Sequence, residues 1–215
     1  MSDPRPPLIP TAYVVDDDEA IRTLWGWLME SNGIAVRTFS TAADFIAGYQ
    51  PGAPGCLVLD LRLPGMSGLE LQEHLKRNHV DIPIVFVTAH GDVRTAVTAI
   101  KEGAVDFIEK PFSYRQAVSI VEKAFQRDEE NRGRHARQTE VSSRIAALTE
   151  RERAVLRCVI AGKLNKTIAD ELEISVKTVE FHRAKVMEKM RVESVAELVQ
   201  LTLGFSLMDA PQSGS

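Results

Sequence analysis

The segment Cys56-Leu57-Val58-Leu59-Asp60 is an uninterrupted apolar run that ends in a carboxylate. Apolar runs without polar alternation are typical of strands covered on both faces, as in a parallel sheet. Four more short runs of this kind lie at 12–15, 35–39, 84–87 and 105–108. Stretches with helical periodicity alternate with them, at 19–31, 41–48, 68–78, 92–102 and 114–126. Five strand–helix units within residues 11–126 predict a doubly wound α/β domain with a five-stranded parallel sheet.

The rest of the chain has a different character. Residues 1–10 contain four prolines and no periodicity, which predicts a disordered arm. Residues 127–138 are nearly all polar and cannot bury a core face, so we expect a linker or a solvated helical extension, which we place at 127–146. Beyond it only helical stretches follow, at 149–161, 166–172, 175–190 and 194–203. They predict a second, all-α domain over 147–207, with a tail at 208–215.

Composition excludes several classes of protein. Of the 215 residues, 44% are hydrophobic and 26% charged, which is ordinary globular usage and excludes a mainly disordered chain or a disulfide scaffold. Cys56 and Cys158 lie far apart in apolar runs, which favours two small buried side chains in a reducing compartment. No apolar stretch approaches the roughly 20 residues of a membrane span. We therefore expect a soluble, cytoplasmic protein that contacts no membrane.

The negative charge is concentrated in the first domain. Residues 1–126 contain 11 Lys+Arg and 16 Asp+Glu, an excess that favours a bound cation. The second domain is only mildly basic, so its overall charge does not by itself indicate nucleic acid.

Polar side chains follow four of the five predicted strands. Asp16 and Asp17 come after the first strand, Asp60 after the third, Thr88 after the fourth and Lys110 after the fifth. In an open parallel sheet, ligands bind at the carboxyl ends of the strands, where the strand order reverses. These five side chains are therefore predicted to meet at one edge of the sheet.

The chemistry of this set favours Mg²⁺ and phosphoryl transfer. Crowded carboxylates repel one another unless a cation lies between them, and oxygen ligands suit Mg²⁺. A carboxylate beside that ion can attack phosphorus and form an acyl phosphate, with Lys110 and Thr88 neutralising and positioning the group. Taken singly, each residue has an ordinary alternative: Asp17 could cap a helix, Asp60 could begin a turn and Lys110 could be a surface lysine.

Four motifs resemble the receiver domain of two-component response regulators, over about residues 11–126. They are Val14-Val15-Asp16-Asp17-Asp18, the run from Leu57 to Gly68, Val87-Thr88-Ala89 and Lys110-Pro111-Phe112. The resemblance implies a flavodoxin-like fold and a phosphoryl group accepted by Asp60 from a sensor histidine kinase. It also implies that Asp17 binds Mg²⁺ directly, Asp16 largely through water and Arg62 through its backbone carbonyl.

The same resemblance assigns the switch residues. Thr88 would follow the phosphoryl oxygen, Lys110 would pair with it, and Phe107 matches the switch aromatic. The Lys110–Pro111 bond is expected to be cis. Residues 89–92, which include His90, and residues 103–112 resemble the FixJ subgroup in particular.

The second domain contains a predicted helix-turn-helix. Thr149 and Ser175 are good N-caps, and the helix 175–190 follows a shorter one after a brief break. At 100° per residue, its core face comprises Val179, Val186, Met187 and Met190. Lys177, Phe181, Ala184, Lys185 and Glu188 lie on the opposite face.

The exposed face predicts contacts with a DNA major groove. Phe181 would meet a thymine methyl and Glu180 a cytosine amino group, while Arg183 would reach the backbone by its long stem. The residues predicted to reach phosphates are Asn165, Lys166, Lys177, Thr178 and Lys185. A solvated face, a dimer contact, or a surface for RNA or protein remain alternatives.

Three segments resemble the LuxR-type DNA-binding domain, over about 147–207. They are 148–152, 165–169 and 178–183. The resemblance implies double-stranded DNA read by a dimer, with RNA polymerase as a further partner. Glu180 departs from the basic residue that some members carry, so no target sequence follows from it.

Together these observations predict a FixJ/LuxR-type transcriptional regulator rather than an enzyme. Phosphorylation of Asp60 would drive dimerisation and operator binding. An aspartyl phosphatase of the haloacid dehalogenase type is the alternative, but those enzymes use a second aspartate two residues after the nucleophile. Arg62 occupies that position here.

Overall fold

The computed structural model describes residues 9–88 and 93–203, without the side chains of 93–96. Most of the predicted arm, the stretch 89–92 with His90, and the tail lie outside the described residues. The chain divides into two compact units, Met1–Gly133 and Arg134–Ser215. Each unit is described by itself.

The first unit is a five-stranded parallel sheet with helices on both faces. Its strands are β1 (Thr11–Val15), β2 (Ala35–Phe39), β3 (Gly55–Asp60), β4 (Ile84–Thr88) and β5 (Asp106–Glu109). Its helices are α1 (Glu19–Glu30), α2 (Ala42–Gly48), α3 (Gly68–Arg77), α4 (Val93–Lys101) and α5 (Tyr114–Ala146), the last of which continues into the second unit. The strand order β2-β1-β3-β4-β5 confirms the predicted flavodoxin-like fold.

Apolar side chains cover both faces of the sheet, as the unbroken runs predict. Val58 packs in one core cluster with side chains of α1 and α5. Its neighbours Leu57 and Leu59 pack in the other cluster, with side chains of α2, α3 and α4. Successive side chains of a strand point to opposite faces, and both faces are covered here, so β3 is buried along its whole length. Its last residue, Asp60, lies at the edge of the sheet.

Gly68 keeps α3 close to the end of β3. A Cβ atom at this position would lie 2.3 Å from the carbonyl oxygen of Asp60, too close for any side chain. The amide of Gly68 donates to the carbonyl of Leu61 at 3.1 Å. The start of α3 and the loop after Asp60 are therefore packed backbone against backbone.

Helix α5 differs from its predicted length. The helix predicted over 114–126 continues to Ala146, so of the two predicted forms of the polar segment, a linker or a helical extension, the structure has the helical extension. One polar side chain of this segment is nevertheless buried: Asp128 is 6% exposed. Its carboxylate accepts the amide of Gly55 at 3.1 Å, and Arg132, one turn later, donates to the carbonyl of Gly52. Hydrogen bonds thus join residues 128–132 to the amino end of β3 and to the loop before it.

Replacement of Asp128 tests this attachment. Asp128→Ala leaves the buried amide of Gly55 without its acceptor, and we expect the free energy of unfolding to fall by about 1–3 kcal/mol. Asp128→Asn keeps an acceptor oxygen and should cost clearly less. Urea unfolding measures both, with Glu129→Ala on the exposed side of the helix as control. Equal losses for Asp128→Ala and Glu129→Ala would show that the contact contributes nothing.

The pH dependence of the same comparison has a defined sign. Burial raises the pKa of Asp128 above its ordinary value of 3.8, so the folded state holds this proton more tightly than the unfolded chain. The free energy of unfolding of the wild type therefore falls relative to that of Asp128→Asn as the pH rises through the raised pKa. The free energy of unfolding of Asp128→Asn minus that of the wild type should be larger at about pH 7 than at about pH 4.

The second unit is helical. Its helices are α6 (Glu150–Ile160), α7 (Asn165–Glu171), α8 (Val176–Met190) and α9 (Val195–Thr202), around one core cluster. Val141 and Ile145, from the last turns of α5, pack against this core. Thr149 forms a capping box with Glu152, which confirms the predicted start of α6.

Within the described residues, no helix is both long enough and apolar enough to cross a membrane.

Candidate functional site

Three carboxylates converge where the strand order reverses. Asp16 and Asp17 follow β1, and Asp60 ends the neighbouring strand β3. One carboxylate oxygen from each residue lies within 4.8 Å of the others. Asp16 and Asp60 are buried and Asp17 is exposed, so the cluster opens to solvent on one side. We call these three residues the acidic cluster.

Lys110 lies against the two buried carboxylates. Its Nζ donates to Asp16 at 2.7 Å and to Asp60 at 2.9 Å. Burial alone would lower the pKa of Lys110, but the two carboxylates outweigh burial and raise the pKa above its ordinary value. Burial also raises the pKa of Asp16, although Lys110 opposes this. The lysine is therefore a fixed cation, and it compensates one of the three negative charges.

Helix α8 has one buried side and one exposed side. Val179, Val186 and Met190 are buried, and Met187 packs against the same core, as the helical periodicity predicts. Phe181 is 58% exposed, an unusual position for a large aromatic side chain on a short soluble helix. The exposed side is thus a surface that carries both apolar and charged groups.

One side-chain hydrogen bond joins α8 to α7, and another caps the start of α8. The Nη1 of Arg183 donates to Oδ1 of Asn165 at 3.0 Å, so these two candidates lie together at the start of α7. Ser175 caps α8 by accepting the amide of Thr178 at 3.1 Å. The other predicted DNA-contacting residues are partly or fully exposed: Lys166, Lys177, Glu180, Ala184 and Lys185.

Comparison with known proteins identifies both units. Residues 12–122 match the response regulator receiver domain, and residues 146–202 match bacterial regulatory proteins of the luxR family. The transcriptional regulatory protein FixJ of Azorhizobium caulinodans is 44% identical over 191 residues, which cover 89% of this chain and 90% of that protein. The response regulator protein TodT of Pseudomonas putida is 42% identical over 190 residues, which cover 88% and 84%. A solved structure of the response regulator StyR matches at 44% identity with a TM-score of 0.79, covering 91% of this chain and 98% of that one.

The chain is a two-component response regulator. It combines a receiver domain with a LuxR-type DNA-binding domain, and its activity as a transcriptional regulator depends on phosphorylation. It is a regulator rather than an enzyme, which excludes the phosphatase alternative. A sensor kinase and DNA are the partners that these two domains imply.

The acidic cluster of the regulator fits a divalent cation. Its three carboxylates carry three negative charges, of which Lys110 compensates one. The donors are oxygen atoms, the ligands that Mg²⁺ prefers, and one side of the cluster is exposed enough to leave room for water ligands. Arg62 lies beside this cluster, because its amide donates to Oδ1 of Asp60 at 3.2 Å. The role predicted for its carbonyl stays a prediction.

The two predicted switch residues lie on neighbouring strands. Thr88 ends β4 and is fully buried, and its carbonyl accepts the amide of Lys110 at 2.8 Å. Phe107 lies on β5 opposite Phe86 and packs, partly buried, against the core beneath α2, α3 and α4. The cis bond predicted between Lys110 and Pro111 is confirmed. The switching roles of Thr88 and Phe107 stay predictions.

Arg22 also belongs to this site, although the sequence motifs do not indicate it. Its guanidinium lies within hydrogen-bond distance of the backbone carbonyls of Asp16 and Asp17. The signal that could have indicated it is a basic residue in the first turns of the helix that follows an acidic loop.

Replacement of Lys110 tests the charge balance of the cluster. In Lys110→Met the buried carboxylates of Asp16 and Asp60 lose their ion pairs, and we expect the free energy of unfolding without Mg²⁺ to fall by up to about 3 kcal/mol. Mg²⁺ should stabilise this variant more than the wild type, because three uncompensated carboxylates attract it more strongly. Urea unfolding with a chelator and with saturating Mg²⁺ measures both effects. Lys123→Met, which removes an exposed lysine, is the control. The same stabilisation by Mg²⁺ in the wild type and in Lys110→Met would contradict this charge balance.

Proposed function

We propose that Asp60 is the phosphoacceptor of this regulator and that Mg²⁺ binds beside it in the acidic cluster. The observation that carries the proposal is the position of the Asp60 carboxylate, which ends β3 at 2.9 Å from Lys110 and within 4.8 Å of carboxylate oxygens of Asp16 and Asp17. A carboxylate is a weak nucleophile and its phosphoryl donor is anionic. Lys110 and a cation bound in the cluster would reduce the repulsion between the carboxylate and the anionic donor.

The reaction is a displacement at phosphorus. A carboxylate oxygen of Asp60 forms the new bond to phosphorus, the bond from phosphorus to the imidazole nitrogen of the kinase histidine breaks, and its electron pair stays on that nitrogen. The product is an acyl phosphate. Lys110, already 2.9 Å from Asp60, is placed to pair with the phosphoryl oxygens, and the hydroxyl of Thr88 is proposed to follow them. Bound Mg²⁺ supplies charge neutralisation for those oxygens.

The acidic residues divide into two roles. Both oxygens of Asp16 already accept hydrogen bonds, one from the amide of Asp18 at 2.9 Å and one from Lys110. This supports contact between Asp16 and the ion through water. The exposed carboxylate of Asp17, together with Asp60 and the backbone carbonyl of Arg62, is the proposed direct ligand set.

The acceptor is tested by Asp60→Asn. We expect this variant to take up no phosphoryl group from acetyl phosphate with Mg²⁺, because an amide oxygen does not form the acyl phosphate. Intact-mass spectrometry measures the adduct on each protein. Asp81→Asn, which lies before β4 at the opposite edge of the sheet, should be labelled like the wild type. Stoichiometric, acid-labile label on Asp60→Asn would reject the assignment.

The proposed DNA reader is the exposed side of α8. An α-helix fits the major groove, where Phe181 would contact a thymine methyl and Glu180 a cytosine amino group. Ala184 on the same side is small enough to let the helix approach the bases. Phosphate contacts are proposed for the polar residues around both helix starts: Asn165, Lys166, Lys177, Thr178, Arg183 and Lys185. The contact of Arg183 with Asn165 supports a shared position for these two.

Phosphorylation is proposed to act by dimerisation. A single small domain with few basic residues binds DNA weakly, whereas two domains on one duplex gain affinity through their effective concentration. A dimer would occupy two half-sites about one helical turn apart. The bound dimer would then contact RNA polymerase. The cytoplasm, where the DNA lies, is the compartment that this function requires.

Two substitutions in α8 separate groove contacts from phosphate contacts. Lys177→Ala should weaken binding to all sequences and lower the salt slope of the binding constant by about one. Phe181→Ala should weaken binding to the selected site by about tenfold with the salt slope unchanged, because it removes an apolar contact to a base. Shift assays on duplexes selected from a random pool measure both at several salt concentrations.

The control for these assays is Lys123→Ala, a matched loss of charge in the receiver domain. Unchanged binding by folded Lys177→Ala and Phe181→Ala would reject the groove assignment. Binding to RNA in preference to duplex DNA would favour the alternative in which the exposed side of α8 recognises RNA.

A further inference from the structure

Arg22 bridges the backbone of the acidic loop. Its Nη1 atom lies 2.8 Å from the carbonyl oxygen of Asp16 and 2.9 Å from that of Asp17. One terminal guanidinium nitrogen carries two hydrogens, so it can donate to both carbonyls at once. The amide of Arg22 also donates to the carbonyl of Asp18 at 3.0 Å, which ties the loop to the first turn of α1.

This contact matters because Asp16 and Asp17 are adjacent in the chain. In an extended strand, successive side chains point to opposite faces and successive carbonyls point in opposite directions. Here both carbonyls reach one nitrogen, and the two carboxylates fall within 4.8 Å of each other and of Asp60. The chain therefore leaves the extended conformation at this point, and Arg22 binds the turned backbone.

The turned loop works against electrostatic repulsion. Asp17 brings a third negative charge toward two others, and its exposed side chain could relieve the repulsion by moving into solvent. The Asp16 carboxylate is held by the amide of Asp18 and by Lys110. The carbonyl of Asp17 is held by Arg22, which keeps the attached residue in the cluster.

We propose that Arg22 is a positioning residue that sets the Mg²⁺ affinity of the receiver domain by holding the Asp16–Asp17 backbone in its turned conformation. The proposal rests on the proposed metal site. Arg22 acts through the peptide groups and contacts no phosphoryl oxygen. Its loss should weaken Mg²⁺ binding and leave the chemical step intact once the ion is bound.

The test is Arg22→Met, which keeps the length of the apolar stem and removes the donors. Isothermal titration calorimetry with MgCl₂ should show a dissociation constant raised by about tenfold or more, the usual cost of losing a partner that orients metal ligands. With acetyl phosphate, the Mg²⁺ concentration for half-maximal phosphorylation should rise by the same factor. The maximal rate at saturating Mg²⁺ should stay within about threefold of wild type.

Two further variants separate positioning from a general structural role. Arg37→Met removes an arginine whose Nη1 also donates to a backbone carbonyl, that of Gly48 at 3.1 Å, away from the acidic cluster. It should bind Mg²⁺ like the wild type. Arg22→Lys keeps a cationic donor and should recover part of the affinity, which also covers the case in which Arg22→Met fails to fold.

The outcomes are distinct. A wild-type Mg²⁺ affinity in folded Arg22→Met would overturn the inference and leave the proposed metal site unaffected. If Arg22→Met does not fold, a wild-type Mg²⁺ affinity in Arg22→Lys would overturn it. A lower maximal rate at saturating Mg²⁺ with unchanged affinity would also overturn it. Absence of Mg²⁺ binding by the wild type would overturn the proposed metal site and this inference together.

Discussion

Repulsion among three carboxylates is the constraint on which the rest of the receiver domain depends. Asp16, Asp17 and Asp60 would separate in an unrestrained chain, but two neighbouring strands bring them to one edge of the sheet. Burial on both faces fixes those strands, and Lys110 compensates part of the charge. The cluster thus keeps carboxylates close together at an unfavourable electrostatic energy, which a divalent cation would lower.

Strand β3 connects this cluster to the long helix α5. Asp60 stands at its carboxyl end, and Gly55 at its amino end donates to the buried carboxylate of Asp128. The sequence of residues 127–138 predicts a linker or a solvated helical extension, yet Asp128 within it is buried and hydrogen-bonded to the strand that ends in Asp60. A single strand therefore carries the proposed phosphoacceptor at one end and is hydrogen-bonded to α5 at the other.

Helix α8 of the helix-turn-helix has a buried apolar face and an exposed face. Val179, Val186 and Met190 anchor α8 in the core, so Phe181 faces outward. The periodicity of the helix predicts this division, because one face must be apolar to pack. The contact of Arg183 with Asn165 is not predictable in this way, since it joins residues on different helices.

The sequence alone determined the order of strands and helices, the buried faces and the residues that meet at the carboxyl edge. These follow from hydrophobic periodicity, from helix caps such as Thr149 and from the polar residues that directly follow the predicted strands. Only the tertiary structure decided that Arg22 donates to the carbonyls of Asp16 and Asp17, that α5 continues to Ala146 and that Asp128 is buried. The physical reason is that periodicity reports which side of an element is apolar. It does not report which polar side chain comes within hydrogen-bond distance of a backbone group on another element.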